Sequence, residues 1–200
     1  NVQERLYGRP ASSLGSPSGD PRVAAFAKSY ANAVLRMIIL NGEFHGDPHP
    51  GNVFMIGEQD VGFIDFGSVG TLTKARRDEI VRLVLAIAGE ETSDVANVLL
   101  AWAGEPKVDR DALAVDLDQL IGEFRGTVLS GIEFSQIFSR VFDLLRDYRL
   151  VLPPDLAILL RTLLTAEGFV RSLAPDYNIA EETRPIMTEL LAERFSLGSA

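Results

Sequence analysis

The chain has 200 residues, of which 46% are apolar, and this is enough for one ordinary domain with a sizeable core. Its formal charge of −9, from 19 basic and 28 acidic residues, argues against nucleic-acid binding and against docking on anionic lipid by charge alone. The chain has no cysteine, which excludes disulfides and cysteine-type zinc sites.

The N-terminal residues 1–21 are predicted to be a linker, or the remnant of a small lobe and its hinge. Residues 8–21 are rich in Gly, Pro and Ser, a composition typical of flexible linkers. Because the chain opens with Asn rather than Met, we interpret it as a fragment of a longer protein. We recognise no signal peptide and no uninterrupted apolar run near the ~20 residues that cross a bilayer.

A helix is predicted to follow this segment. Asp20 suits an N-cap and Pro21 suits the first helical position. Apolar residues then recur at helical spacing as far as Leu40. The Asn41-Gly42 pair is typical of a helix C-terminus, so we expect the helix to end there.

Two short apolar runs, residues 53–56 and 61–64, come next and are separated by Gly57-Glu-Gln-Asp60. This pattern predicts a β-hairpin that is buried on both faces. The second strand leads directly into Asp65-Phe-Gly67.

Everything after residue 73 is predicted to be helical, as five amphipathic helices and a last helix over 181–195. The apolar stripes of the five helices are Ile80, Leu83, Val84 and Ile87; Val95, Val98, Leu99 and Trp102; Leu113, Leu117, Leu120, Ile121 and Phe124; Phe134, Ile137, Phe138, Val141, Phe142 and Leu145; and Leu156, Leu159, Leu160, Leu163 and Val170. Stripes of this kind are usually core, and we interpret them so.

The stretch from residue 44 to 52 holds both histidines of the chain. Kinase-type phosphoryl transfer uses the pattern H-x-D-x-x-x-x-N, followed later by D-F-G. His45, Asp47 and Asn52 match the first pattern in order and spacing, and Asp65-Phe-Gly67 matches the second. A hairpin would bring Asp65 back beside Asn52, and two protein oxygen ligands suit Mg²⁺, which takes the rest from water and phosphate. The pattern thus predicts a preorganised Mg-phosphate site.

The two motifs, His-Gly-Asp-Pro-His-Pro-Gly-Asn and Ile-Asp-Phe-Gly, resemble those of the UbiB-type atypical kinase family of ubiquinone biosynthesis. Members of that family typically have Ala at the position of Gly46. The later Glu167-Gly168 and Ala174-Pro-Asp-Tyr-Asn178, and the absence of an Ala-Pro-Glu motif, are also similar to the family's helical C-terminal part. The resemblance covers roughly residues 20–180.

The resemblance implies the large lobe of a protein-kinase-like fold, a mainly α-helical α+β domain whose one short hairpin carries the Mg site. The lobe would span residues 22–195, with a tail at 196–200.

In terms of chemistry, the resemblance makes Asp47 the catalytic-loop carboxylate and His45 the structural histidine of that catalytic loop. Asn52 and Asp65 would be the Mg²⁺ ligands, and with Gly67 they would face the nucleotide, so that ATP and Mg²⁺ are the implied cofactors. His49 has no role in the kinase pattern, and we expect it to make a hydrogen bond that stabilises the loop.

The resemblance also implies partners and a location. The partners would be nucleotide and either isoprenoid-quinone precursors or proteins of quinone synthesis, and nucleic acid is not expected. The protein would be cytoplasmic and peripheral to the bacterial inner membrane. The sequence predicts neither the phosphoryl acceptor nor the oligomeric state.

A kinase also needs a small-lobe lysine and a loop over the phosphates. The chain's lysines are Lys28, Lys74 and Lys107, and none lies where that lysine should be. A glycine-rich phosphate loop is also missing from the sequence. We therefore expect these 200 residues alone to bind nucleotide poorly and to turn nothing over.

Three alternatives stay open at this point. Aminoglycoside and choline phosphotransferases share a similar His-Gly-Asp loop. His45, Asp47 and His49 could instead form a metal-hydrolase cluster. The domain could also be a nucleotide-gated pseudokinase that binds lipid precursors.

Glu167 is the one charged residue predicted on the apolar stripe of the fifth helix. Because buried charges are usually paired, we expect it to pair with Arg161 or Arg171. The functional alternative is a contact with the nucleotide lobe or with a lipid head group.

Overall fold

The computed structural model describes residues 5–14, 20–123, 134–175, 177 and 185–186. The strands are β1 (Arg9–Pro10), β2 (Glu43–His45), β3 (Val53–Ile56), β4 (Asp60–Phe63) and β5 (Val69–Thr71). The helices are α1 (Pro21–Arg36), α2 (Lys74–Ala88), α3 (Thr92–Trp102), α4 (Arg110–Glu123), α5 (Phe134–Asp147) and α6 (Pro154–Leu173). The mainly helical fold agrees with the predicted class, but it has two small sheets where one hairpin was predicted.

The N-terminal segment differs from the flexible linker predicted for it. Strand β1 pairs antiparallel with β3, placing Arg9 opposite Met55. A short 3₁₀ turn follows, in which Ala11 is 2% exposed, and Leu14 just after it is 5% exposed. Residues 9–14 are therefore packed against the hairpin. The interpretation of residues 1–21 as a hinge or small-lobe remnant stays a prediction.

Helix α1 begins as predicted, because a carboxylate oxygen of Asp20 accepts a hydrogen bond from the backbone N–H of Arg22 at 2.9 Å. The helix continues as a π-helical turn over Met37–Asn41 and stops at Gly42, whose φ is +75°. A side chain at residue 42 would be strained by that φ and would put a Cβ 2.7 Å from the carbonyl oxygen of Leu72. The predicted stop at Asn41-Gly42 is confirmed.

Residues 21–41 form one helical stretch that is long and apolar enough to cross a membrane. The stretch contains Arg22, Lys28 and Arg36, so it is not the uninterrupted apolar run that the sequence was expected to lack. Core helices of soluble proteins can have the same length and apolar composition. In this fold 44% of the apolar window is buried inside the protein.

The predicted hairpin is present, with β3 and β4 antiparallel and Val53 opposite Phe63. Val53 and Met55 are buried, whereas Phe54 and Ile56 are half-buried, so burial is confirmed on one face only.

The second sheet pairs β2 with β5, also antiparallel. Phe44 lies opposite Gly70, and a Cβ at residue 70 would overlap the Phe44 ring. This pairing brings the chain after Asp65-Phe-Gly67 back to the start of the loop at residues 45–52, which is called the catalytic loop here after its predicted role.

Two cores hold the described residues together. The first joins α1, the hairpin and α6, and the second joins the four helices α2, α3, α4 and α5. Trp102 and Leu152 pack against both cores. The predicted stripes supply many of their residues, including the buried Val95, Leu99, Leu113, Leu117, Ile121, Leu156, Leu159 and Val170. Phe124, nearly all of the predicted helix 181–195 and the tail 196–200 lie outside the described residues, as do the side chains of Phe134, Ile137 and Phe138.

Candidate active site

His45 ends β2 and is buried, with 1% of its surface exposed. Its Nδ1 accepts a hydrogen bond from the Asp47 amide at 3.1 Å, so the neutral ring carries its proton on Nε2. That Nε2–H donates to the carbonyl oxygen of Ile64 at 2.9 Å. The ring centroid also lies 5.3 Å from that of Phe66. The histidine therefore joins the catalytic loop to the segment that carries Asp65.

Asn52 ties the other end of the loop to the hairpin. Its side-chain Nδ2 donates to the Asp47 carbonyl at 3.1 Å, and its backbone carbonyl accepts from the Ile64 amide at 2.9 Å. Its Oδ1 accepts no hydrogen bond from the described residues. A carbonyl-type oxygen beside Asp47 is thus available to a cation.

Asp65 directly follows the residue that pairs with Asn52, so both stand at the open end of the hairpin, away from the turn at 57–60. Its backbone has a φ of +59°, a conformation that Asp tolerates better than most residues. The side chain is exposed, and its Oδ1 accepts a hydrogen bond from the Gly67 amide at 3.3 Å. This contact fixes one carboxylate oxygen.

The side-chain oxygens at this end of the hairpin are of the types that suit a hard cation. Asn52 offers an amide oxygen and Asp65 a carboxylate, which are ligand types that Mg²⁺ accepts while keeping several waters. Asp47 lies on the same loop with 42% of its side chain exposed, so its carboxylate can reach a ligand from solvent. The donor set therefore fits Mg²⁺ bound together with phosphate.

Three side chains that were not predicted to belong to the site donate hydrogen bonds to backbone carbonyls of this loop. Tyr30 Oη donates to the Pro48 carbonyl at 2.6 Å, Arg161 Nη2 to the Gly46 carbonyl at 3.1 Å, and Thr162 Oγ1 to the His45 carbonyl at 3.3 Å. Tyr30 and Thr162 are both fully buried, and a polar group on an apolar helix face was the signal that could have found them.

Burial also raises the pKa of Tyr30 well above its ordinary value, since the ionised phenol would lose its hydration. The residue therefore stays a neutral hydrogen-bond donor to the catalytic loop throughout the physiological pH range.

The metal-hydrolase alternative does not fit this geometry. Within the described ranges, no group of three His, Cys, Asp or Glu side chains is placed to hold a metal. Both ring nitrogens of His45 are already hydrogen-bonded to backbone groups. His49 uses its Nδ1 to accept from the Gly51 amide at 3.0 Å, which confirms the hydrogen bond expected of it.

Glu167 is buried as predicted, with 4% of its surface exposed. It lines a small cavity between α1 and α6, together with Leu35 and Leu163. Arg161, one of its two expected partners, donates to the Gly46 carbonyl at 3.1 Å instead, and the pairing with Arg171 stays a prediction.

Two family models match the chain, the ABC1 atypical kinase-like domain over residues 17–99 and the UbiB helical domain over residues 117–178. Together they cover most of the sequence. The chain belongs to the UbiB/ABC1 family of atypical kinase-like proteins. The resemblance recognised from the two motifs is confirmed.

Curated members of the UbiB/ABC1 family are similar to this chain at low identity. A protein of Azotobacter vinelandii named "Probable protein kinase UbiB" is 27% identical over an alignment of 211 positions, which covers 98% of this chain and 37% of that protein. The chloroplastic ACTIVITY OF BC1 COMPLEX KINASE 1 of Arabidopsis thaliana is 27% identical over 161 residues, which covers 80% of this chain and 24% of that protein. The chain thus spans well under half the length of these relatives.

Among solved structures, the fold is similar to that of Rv3197 from Mycobacterium tuberculosis, determined in complex with erythromycin. The TM-score is 0.55 at 16% identity, over 84% of this chain and 44% of that one. At this identity the likeness shows the fold alone.

Proposed function

We propose that this chain is the large lobe of an ATP- and Mg²⁺-dependent atypical kinase or ATPase that supports isoprenoid-quinone synthesis. Membership of the UbiB/ABC1 family supports the kinase-like class. The observation that carries the proposal is the meeting of the two motifs at one end of the hairpin, where Asn52 pairs with Ile64 and Asp65 follows. A kinase-type site needs those side chains side by side.

In this proposal each residue has a separate task. Asp47 orients and deprotonates the attacking hydroxyl or water, and Asn52 and Asp65 hold the metal. Gly67 keeps the Asp65 carboxylate turned toward the site through its amide. Bound Mg–ATP would supply the electrophilic phosphorus and neutralise charge on the phosphates. His45 acts behind these residues by fixing the spacing between the loop and the hairpin.

The proposed turnover needs a lysine from a small lobe as well. Lys28 lies on α1, Lys74 begins α2, and Lys107 lies between α3 and α4. None of the three is on a strand over the site, so we propose that these 200 residues alone do not hydrolyse ATP. Rapid hydrolysis by the 200-residue chain, abolished by Asp65→Ala, would contradict this.

The test is the thermal stability of the longest gene product that contains these residues, with and without Mg–ADP. Ligand at ~100 times its dissociation constant should stabilise the native protein by about 2.7 kcal/mol. Asp65→Asn should lose that stabilisation, since it removes the charge but tolerates the same positive φ. Asp60→Asn is the matched control, because Asp60 is exposed at the opposite end of the same hairpin.

The outcomes separate the candidate sites. Stabilisation that needs both Mg²⁺ and nucleotide, and that Asp65→Asn but not Asp60→Asn abolishes, supports the kinase-type site. Stabilisation by divalent metal alone, with no contribution from nucleotide, refutes it.

The products of ATP consumption decide among the remaining functions. A kinase forms a phosphorylated acceptor in proportion to the ADP released, whereas an ATPase or a nucleotide-gated pseudokinase releases only ADP and phosphate. An aminoglycoside- or choline-type phosphotransferase would form phosphorylated product with those small alcohols as acceptors. Incubation with isoprenoid-quinone precursors and with such alcohols, in parallel, distinguishes them.

A further inference from the structure

His49 has a second polar atom whose task the kinase pattern leaves unassigned. Its Nδ1 accepts from the Gly51 amide at 3.0 Å, so the proton of the neutral ring is on Nε2. Nε2 lies 4.0 Å from Oδ2 of Asp47. A donor therefore lies near the candidate catalytic carboxylate, about 1 Å beyond ordinary hydrogen-bond distance.

The position of this ring is set by its surroundings. His49 lies between Pro48 and Pro50, whose fixed φ values limit the local backbone. A Cβ at residue 51 would come within 2.6 Å of Cε1 of His49, so the ring occupies space that only glycine leaves open. The imidazole thus folds back over the 3₁₀ turn, and its Nε2 is directed to the Asp47 side.

The Asp47 carboxylate has little else to orient it. The backbone of Asp47 is fixed on both sides, by His45 at its amide and by Asn52 at its carbonyl. No described residue donates a hydrogen bond to the carboxylate itself, and His49 is the one basic side chain within 4.0 Å of it in the described parts of the chain. The direction of this side chain is therefore open to control by His49.

We propose that His49 is a positioning residue that aims the Asp47 carboxylate through Nε2–H. Catalytic hydrogen bonds are often long before substrate binds and shorten in the complex, and rotation of the part-exposed Asp47 side chain toward the held imidazole would shorten the 4.0 Å separation. The inference deepens the proposed function and rests on it, because Asp47 is taken as the catalytic-loop carboxylate.

The chain allows the two tasks of His49 to be separated by substitution. In His49→Asn the amide oxygen can still accept from the Gly51 N–H, as Asn does at helix N-caps, but the side chain is too short to replace Nε2. In His49→Gln the amide nitrogen can reach the place of Nε2. We expect His49→Asn to keep the native Tm and the nucleotide KM while kcat falls roughly tenfold to a hundredfold, and His49→Gln to recover part of kcat.

A double-mutant comparison shows whether the effect passes through Asp47. In an Asp47→Asn background, His49→Asn should lower the residual kcat no further. An equal loss in both backgrounds, or a native kcat in His49→Asn, overturns the proposal. A rise in KM without a change in kcat also overturns it, since it would assign His49 to ground-state nucleotide binding.

A readout without catalysis keeps this inference separate from the proposed function. In ¹⁵N-histidine spectra of the longest gene product, the signal that disappears in His49→Asn should show the Nε2-protonated ring, and Asp47→Asn should shift its Nε2 resonance. If native protein neither binds nor hydrolyses Mg–ATP but this shift is present, the proposed function fails and the contact with Asp47 stands. A ring protonated on Nδ1, or an Nε2 resonance insensitive to Asp47→Asn, refutes the positioning role whatever the activity.

Discussion

Removal of one hydroxyl from Tyr30 should destabilise the whole fold measurably. Tyr30 is 0% exposed, and its Oη donates to the carbonyl of Pro48, which is buried as well. Tyr30→Phe leaves the ring in place against Phe63 and Phe169, at centroid distances of 6.0 and 5.0 Å. The substitution therefore deletes a hydrogen bond and little packing.

The size of the expected loss in stability follows from the Pro48 carbonyl, which loses its hydrogen-bond donor. Among the described residues, the Pro48 oxygen has no other donor, so the variant leaves a buried acceptor unsatisfied. We expect a loss of about 1–3 kcal/mol in the free energy of unfolding. For a chain of this size that corresponds to a Tm lower by roughly 2–12 °C.

Urea unfolding monitored by the fluorescence of Trp102 measures this loss. Tyr148→Phe is the matched control, because the Tyr148 hydroxyl donates at 2.6 Å to the exposed carboxylate of Asp116, where water can replace it. The control should lie within about 0.5 kcal/mol of native protein. If Tyr30→Phe costs no more than Tyr148→Phe, the argument that α1 supports the catalytic loop is refuted.

Three further predictions concern the same elements. Burial raises the folded-state pKa of Tyr30, so above pH ~10 the unfolded chain ionises this phenol while the folded protein keeps it neutral. This group should therefore leave the free energy of unfolding unchanged below pH ~10 and lower it above that pH by up to roughly 1.4 kcal/mol per pH unit. Urea unfolding at a series of pH values should show a shallower fall for Tyr30→Phe than for native protein. Gly46→Ala should lower the Tm, since its Cβ would lie 2.5 Å from Oγ of Ser68. Addition of Ser68→Ala should restore part of that Tm, and equal Tm values for the single and double variants would contradict the contact. Gly70→Ala should lower the free energy of unfolding by about 1–3 kcal/mol, because its Cβ would overlap the buried Phe44 ring. Gly122→Ala should raise it by up to about 1 kcal/mol, because Gly122 is exposed on α4 with open space around it. A higher urea midpoint for Gly70→Ala than for Gly122→Ala would refute this.

Local patterns carried most of what the sequence could predict about the fold. The start of α1 was readable because Asp20 and Pro21 act on their immediate neighbours. The hairpin was readable because two apolar runs are separated by a short polar turn, and its register then brings Asn52 and Asp65 together. The spacing of the two motifs therefore predicted which residues would meet, while their catalytic and metal-binding roles stay predictions.

Contacts between distant parts of the chain could not be predicted in this way. Residues 9–14 look like a linker because they include Pro and two Ser, and only pairing with β3 makes Arg9–Pro10 a strand. Arg161 looked like a partner for Glu167 on its own helix, but it reaches the Gly46 carbonyl, 115 residues away. The geometry that decided this lies in the packing of α6 against the loop, which no sequence spacing encodes.

The support that α6 gives the catalytic loop has a consequence for how the protein is made. Arg161 and Thr162 reach back over 115 and 117 residues to carbonyl groups of the loop. A chain leaves the ribosome N-terminus first, and contacts between such distant residues form late because a long loop must close. A nascent chain that ends before α6 would therefore contain all the motif residues but would lack the Arg161 and Thr162 side chains that hydrogen-bond to the loop.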